Sequence, residues 1–250
     1  MLYNYRDSST LDLVFDDQSN ELIVKEDIII EESLVRKMKD MRSLFNDASG
    51  YDDELPLYYM YNGIYRREHQ DLFKQAGIKY EYTILPALMI NGECLKAHGH
   101  IHGISPITKT NFIEVYEVLD GKGCFQLFKL EEDTCEVVII EVKPGDFIVV
   151  PPNYYHLSIN TGDTPFNFGD LIATSASSDY SVLKDYYGAP FFCMKDQAGN
   201  IRYQLNQNYR EKKVSIAVVK ADSLPWNIPL ANVALYAHFV ANPRYFDYIK

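Results

Sequence analysis

Two histidines one residue apart, a glutamate twelve positions on, and a third histidine shortly after a Pro-Gly turn place the tightest limit on this chain. AHGHIHG, FIEVYEVLDGKG and VKPGDFIVVPPNYYH occur in that order, each in or beside a short β-prone run. In an extended strand His100 and His102 point to one face about 7 Å apart at Cα, which lets two imidazoles share one ion. FIEVYEVL puts Phe112, Glu114, Tyr116 and Val118 on one face and Ile113, Val115, Glu117 and Leu119 on the other, so Glu114 shares its face with Tyr116. Pro144 and Gly145 turn the chain into Phe147–Val150, and the proline pair beyond leads to His156 at the returning end. An HxH pair or a strand glutamate is commonplace alone, and it is the order that joins them into one metal site. His98 continues the alternation, but Cα atoms four residues apart lie about 13 Å apart in a strand, which places it beside the ligands rather than among them. His69 and His238 read as helix-surface and packing residues.

From Tyr80 onward the chain is a series of short β-rich runs broken by Gly, Pro and Asn: YEYTIL, ECLKAHGHIH, FIEVYEVL, CFQLFKL, EVVIIEV, DFIVV and FNFGDLIAT. Such spacing predicts an antiparallel sandwich or barrel. CFQLFKLEEDTCEVVIIEV reads as a hairpin turning near Glu132, with Cys124 opposite about Ile140 and Cys135 opposite about Lys129. Upstream, Leu34, Met38, Met41 and Phe45 recur at helical spacing and predict an amphipathic helix over residues 32–45, and a short helix over 68–76 stops at Gly77. Downstream, VSIAVV, SLPWNIPL and VALYAHFV form a C-terminal extension, an added strand or a dimer arm. The expected division is 1–79 as an extension packing on the barrel, 80–210 as the barrel and 211–250 as the second extension, in one domain overall.

A formal charge of -11 disfavours nucleic acid and anionic membranes as partners and requires locally arranged donors for any anionic substrate. No apolar run reaches membrane-spanning length and the N-terminus lacks signal-peptide features, so the expectation is a cytoplasmic protein. Cys94, Cys124, Cys135 and Cys193 show no CxxC spacing and are expected to be reduced and buried.

The HxH, ExY and PG-to-His pieces follow the two-part cupin pattern, which implies an all-β double-stranded β-helix, a jelly-roll barrel. Their surroundings resemble the cupin-type, archaeal-type glucose-6-phosphate isomerases over roughly Val35 to Glu211, through MRSLF, YYMY, YEYTILP, GHIH, EVYEVLDGKG, VPPNYYH, NTGDTPF, SDY and NQNYRE. The resemblance implies interconversion of glucose 6-phosphate and fructose 6-phosphate in glycolysis and gluconeogenesis. It implies His100, His102, Glu114 and His156 as ligands of one divalent ion per subunit, Fe2+ first, with Mn2+, Ni2+ or Zn2+ as alternatives. Tyr116 falls on the family's active-site tyrosine, Thr83 and the backbone of Gly99 fall where the sugar phosphate is held, and Tyr180 falls on a tyrosine that closes the site. Glu114 is the candidate base between C2 and C1. Lys96 is a candidate phosphate donor against an ordinary surface lysine, and Tyr61 a candidate contact against plain packing. Ala97, Ile172 and Ser178 depart from the family's threonine, tyrosine and histidine, all in the region that holds substrate.

Those departures keep open an isomerase or epimerase of another sugar phosphate. The ligand set alone also suits an Fe(II) cupin dioxygenase or, with less support, a non-catalytic sugar-binding cupin. Exposed sheet edges and the apolar tail predict a homodimer.

Overall fold

The computed structural model describes residues 1–226 and 233–250, so part of the SLPWNIPL run lies outside the described residues. Strands begin well upstream of Tyr80. Three short ones, β1 (Leu2–Asn4), β2 (Leu13–Asp16) and β3 (Glu21–Val24), make a small antiparallel sheet. The helix expected over residues 32–45 is instead mostly strand: β4 (Ile28–Lys37) pairs along its length with β5 (Pro56–Arg66), from Ile28 opposite Arg66 to Arg36 opposite Tyr58. Only Met38–Met41 is α-helical, with a 3-10 turn at Arg42–Leu44. Four apolar residues at helical spacing lose to a run rich in β-branched residues with a full-length partner strand. The helix Gln70–Ala76 forms as expected and ends on Gly77 at φ +65°.

β6 (Ile78–Leu85) follows, then two-residue pieces: β7 (Met89–Ile90), β8 (Glu93–Cys94) and β9 (Ile101–His102). ECLKAHGHIH is therefore not one strand; Gly99 at φ +76° bends it between His98 and His100. The remaining strands are β10 (Glu114–Asp120), β11 (Gly123–Leu130), β12 (Thr134–Val142), β13 (Phe147–Val150), β14 (Tyr155–Asn160), β15 (Phe166–Ala173), β16 (Ser178–Asp179), β17 (Phe191–Lys195), β18 (Ile201–Leu205) and β19 (Lys213–Lys220).

Two sheets form the barrel. One runs β13-β10-β15-β6-β5-β4, and the other β14-β11-β12-β19. Between them pack Tyr116, Val118, Phe125, Leu127, Ile140, Ile148, Phe166 and Phe168. Apart from the β11–β12 hairpin, strands β10 to β15 alternate between the two sheets, which gives the all-β cupin barrel. The β11–β12 hairpin sets Cys124 opposite Glu141 and Cys135 opposite Leu130, one residue away from the expected pairing. All four cysteines are free and buried.

The segments flanking the barrel extend its sheets. β4 and β5 widen the first, and β19 adds to the second in parallel with β12. The outer face of the wide sheet carries Tyr59, Tyr61, Tyr80, Tyr82, Val115 and Leu119. Both chain ends cover it, β2 through Leu13 and Phe15, and the helix Leu235–Ala241 through Leu235, Tyr236 and Phe239. Phe73 sits 4.5 Å from Phe239 and Tyr80 5.4 Å from Tyr236, ring centre to ring centre. Each such buried aromatic is worth about 1.5–3 kcal/mol of apolar burial. The strand alternation thus separates an outer, aromatic face from an inner face left to line a cavity.

Candidate metal centre and substrate pocket

His100 and His156 are fixed by a narrow antiparallel bridge: each backbone N–H donates to the other's carbonyl, at 3.1 and 2.9 Å. β9 supplies His102, and Glu114 opens β10 opposite Val150. The three imidazoles meet at ring-centre separations of 4.4, 4.7 and 5.0 Å. Glu114 Oε2 lies 2.8 Å from His102 Nε2 and 3.0 Å from His156 Nε2, and accepts from the Tyr116 hydroxyl at 2.6 Å. One potential ligand atom from each of His100, His102, Glu114 and His156 falls within 4.8 Å of all the others. These four sequence-predicted residues and Tyr116 are therefore brought together.

Burial lowers His100 well below the ordinary imidazole range, and His156 and His102 add to it. Burial lowers His156 as well, against the pull of Glu114. Glu114 would be raised by burial, but His102 and His156 hold it well below the usual carboxylate range. Neutral imidazoles and an ionised carboxylate are the forms that bind a divalent ion.

The cluster lies in a cavity of about 210 Å³ walled by the inner face of the wide sheet. Strand register lays out that wall in rows. Asn62, Glu81, Asp170 and Tyr116 stand opposite one another on β5, β6, β15 and β10, and all line the cavity. The neighbouring row is Leu34, Met60, Thr83 and Phe168, and beyond it Arg36 faces Tyr58. On the other side Lys79 stands opposite Ile172 and its ammonium pairs with Glu81. Burial raises Asp170 well above the usual carboxylate range, and the carboxylates of Glu114 and Glu81 push it further.

Thr83, Gly99 and Tyr180 line the cavity as the sequence suggests. Gly99 is required there: a Cβ would meet Leu183 Cδ2 at 2.5 Å, on a backbone already at φ +76°. His98 packs edge-on against Tyr180 at 4.6 Å and stays outside the ligand cluster. Ala97, Ile172 and Ser178 all sit in the cavity wall.

Two candidates do not reach the site. Lys96 is buried away from the cavity, where its ammonium donates to Glu93 and, at 2.7 Å, to the Leu44 carbonyl, with Phe45 and Phe192 rings 4.8 Å away. With two of its three donors taken and aromatic rings around it, this amine lies outside the cavity where a phosphate would bind. Tyr61 belongs to the outer aromatic face; its strand neighbours Met60 and Asn62 are the ones that turn inward.

In their place stands Arg36, hidden from the sequence by the helical spacing around it. Its guanidinium contacts the buried Tyr58 hydroxyl and lies 6.0 Å from the Tyr180 ring centre, while Nε has no partner among the described residues. The same Tyr180 ring lies 5.4 Å from the His100 ring, so one tyrosine separates the cation from the histidine cluster. Glu81 and Asp170 were also missed, although an aspartate inside the apolar strand FNFGDLIA was a visible signal.

The family model for glucose-6-phosphate isomerase matches residues 35–211. The glucose-6-phosphate isomerase of Thermococcus litoralis is 31% identical over 155 residues, covering 60% of this chain and 75% of that protein. The one from Pyrococcus abyssi is 30% identical over 156 residues, covering 61% and 76%. Among solved structures, a cupin 2 conserved barrel domain protein from Rhodopseudomonas palustris gives a TM-score of 0.35 at 12% identity, covering 58% of this chain and 73% of that one, a likeness too shallow to carry weight.

Proposed function

The chain belongs to the glucose-6-phosphate isomerase family, and from that premise we propose that the cavity interconverts glucose 6-phosphate and fructose 6-phosphate with a divalent ion held by His100, His102, Glu114 and His156. The observation that carries it is the convergence of those four side chains at one end of a cavity whose other end presents Arg36. The donors fit an ion chemically: Nε2 of both His102 and His156 lies against one Glu114 oxygen, while Nδ1 of each is buried with no hydrogen-bond partner among the described residues. A divalent ion there supplies positive charge against the negative charge that develops on the oxygens at C1 and C2. Fe2+ is the first choice, with Mn2+, Ni2+ and Zn2+ also suited to three imidazoles and a carboxylate.

Aldose and ketose differ by a hydrogen moved between C2 and C1. In the enediol route Glu114 takes the C2 proton and returns it to C1 on the same face, while the Tyr116 hydroxyl holds the carboxylate in place. In the hydride route the same two residues orient the hydroxyls. Arg36 binds the phosphate with Tyr180 and the Gly99 backbone beside it, so binding energy at the far end positions the reacting carbons. Thr83 lies along the path between the two ends. Isomerisation uses each of these parts, whereas oxygen chemistry leaves the phosphate end without a role.

Turnover of glucose 6-phosphate by chelator-stripped protein, before and after each of the four ions, tests the assignment, with His100→Ala as control. Activity that returns with metal and is absent from the variant supports it; inactivity despite proven metal binding rejects this substrate pair. Deuterium from heavy water appearing in the product selects the enediol route. We also propose a cytoplasmic homodimer. The edge strand β19 leaves Ile216 and Val218 exposed, and a monodisperse monomer at micromolar concentration counts against the dimer. Among the described residues no helix is long and apolar enough to cross a membrane.

A further inference from the structure

We propose that Asp170, backed by Glu81 and Lys79, is a specificity-determining residue that hydrogen-bonds the C3 hydroxyl of the open-chain sugar phosphate and so selects substrates carrying it. The proposal rests on the isomerase reading of the same cavity.

Asp170 is 3% exposed, lines the cavity, and its Oδ2 has no hydrogen-bond partner among the described residues. A buried carboxyl oxygen left unmet is costly, so a group that arrives with substrate is the natural partner. The neighbours in its row are committed elsewhere. Tyr116 donates to Glu114, and Glu81 is paired with Lys79. Along its own strand Phe168 and Ile172 are the inward neighbours, and both are apolar. Asp170 shares a side-chain hydrogen bond with Glu114, yet its Oδ2 is left open with no cation beside it, whereas the Glu81 oxygen that lacks a hydrogen bond is ion-paired with Lys79.

Position selects the hydroxyl. Carboxyl oxygens of Glu81, Glu114 and Asp170 come within 4.8 Å of one another. If Glu114 serves C1 and C2, the next carbon along the chain lies against Asp170. Arg36, whose Nε has no partner among the described residues, stands beyond the next row of the wall, which fixes the direction of binding with the phosphate there. A polyol carbon chain is what such a wall recognises, because each hydroxyl can both donate and accept.

The test compares kcat/KM for glucose 6-phosphate and 3-deoxyglucose 6-phosphate, using metal-loaded wild type, Asp170→Ala and Asp170→Asn. Wild type is expected to favour the hydroxylated substrate at least about tenfold. In Asp170→Ala the loss falls on glucose 6-phosphate and the preference drops to near one, while Asp170→Asn, which keeps hydrogen-bonding atoms, restores part of it. Asp170→Val suits a strand and serves if the alanine variant does not fold. A role exerted only through Glu114 slows both substrates by one factor, and an unchanged preference in the alanine or valine variant overturns the proposal while leaving the isomerase reading intact. A metal-loaded wild type inactive on glucose 6-phosphate removes both. Titration with Mn2+ is expected to give one equivalent in every variant; a second equivalent in wild type that Asp170→Ala lacks overturns the proposal by making Asp170 a cation ligand.

Discussion

Glu117→Gln should stabilise the protein by an amount that grows with pH. Glu117 lies on β10 one residue beyond Tyr116, facing away from the cavity, 4% exposed. One of its oxygens accepts from the Leu235 amide at 2.7 Å, where the C-terminal helix begins. Burial pushes this carboxyl up to about 8, with the Leu235 amide pulling weakly the other way. In the unfolded chain a glutamate titrates near 4.3. Between these values the folded protein keeps a proton that the unfolded chain has lost, so stability falls as pH rises, by about 1.4 kcal/mol per unit. Below about pH 4 the penalty is absent, and above about pH 8 it is complete. Glutamine keeps a carbonyl oxygen for the Leu235 amide and never ionises. Urea denaturation should therefore show the variant ahead by about 1 kcal/mol at pH 5 and by about 4 kcal/mol at pH 8. A difference that stays constant between those two pH values would refute the reasoning, because it would mean that Glu117 ionises in the fold without cost.

Arg36→Ala should raise KM for glucose 6-phosphate about tenfold to a hundredfold by removing a charge-assisted contact, and weaken inhibition by inorganic phosphate in parallel, which steady-state kinetics reads directly. Lys96→Met should act on stability instead, since it strands buried Glu93: a loss of about 3–5 kcal/mol by denaturant titration with KM unchanged in the folded fraction. Saturating metal at about a hundred times its dissociation constant should stabilise wild type by about 2.7 kcal/mol, and His156→Ala should lose most of that shift in a thermal melt.

The cluster of His100, His102, Glu114 and His156 was legible because each member rests on local rules. Alternation along a strand sets which side chains share a face, and the Pro-Gly turn brings the third histidine back. The same rule separated Glu114 and Tyr116 from Glu117, which the structure places on opposite sides of β10. Lys96 was misjudged because its direction is set by Glu93 and by a carbonyl at Leu44, a partner 52 residues away. Arg36 was missed because helical spacing in the sequence concealed a strand whose pairing partner, β5, lies beyond the next turn. Tyr61 and its neighbours could be assigned to faces only once that pairing was known.

By itself, then, the sequence determined the β-rich class, the His/Glu cluster and the family resemblance, all carried by contiguous motifs. Only the tertiary structure decided that Arg36 faces the cavity and Lys96 does not, which face each chain end covers, and that Asn62, Glu81, Asp170 and Tyr116 form one row. The physical reason is register. A strand fixes the alternation of its own side chains, but a shift of one residue against its neighbour exchanges the two faces, and that choice is made by the burial of the whole sheet rather than by any one segment.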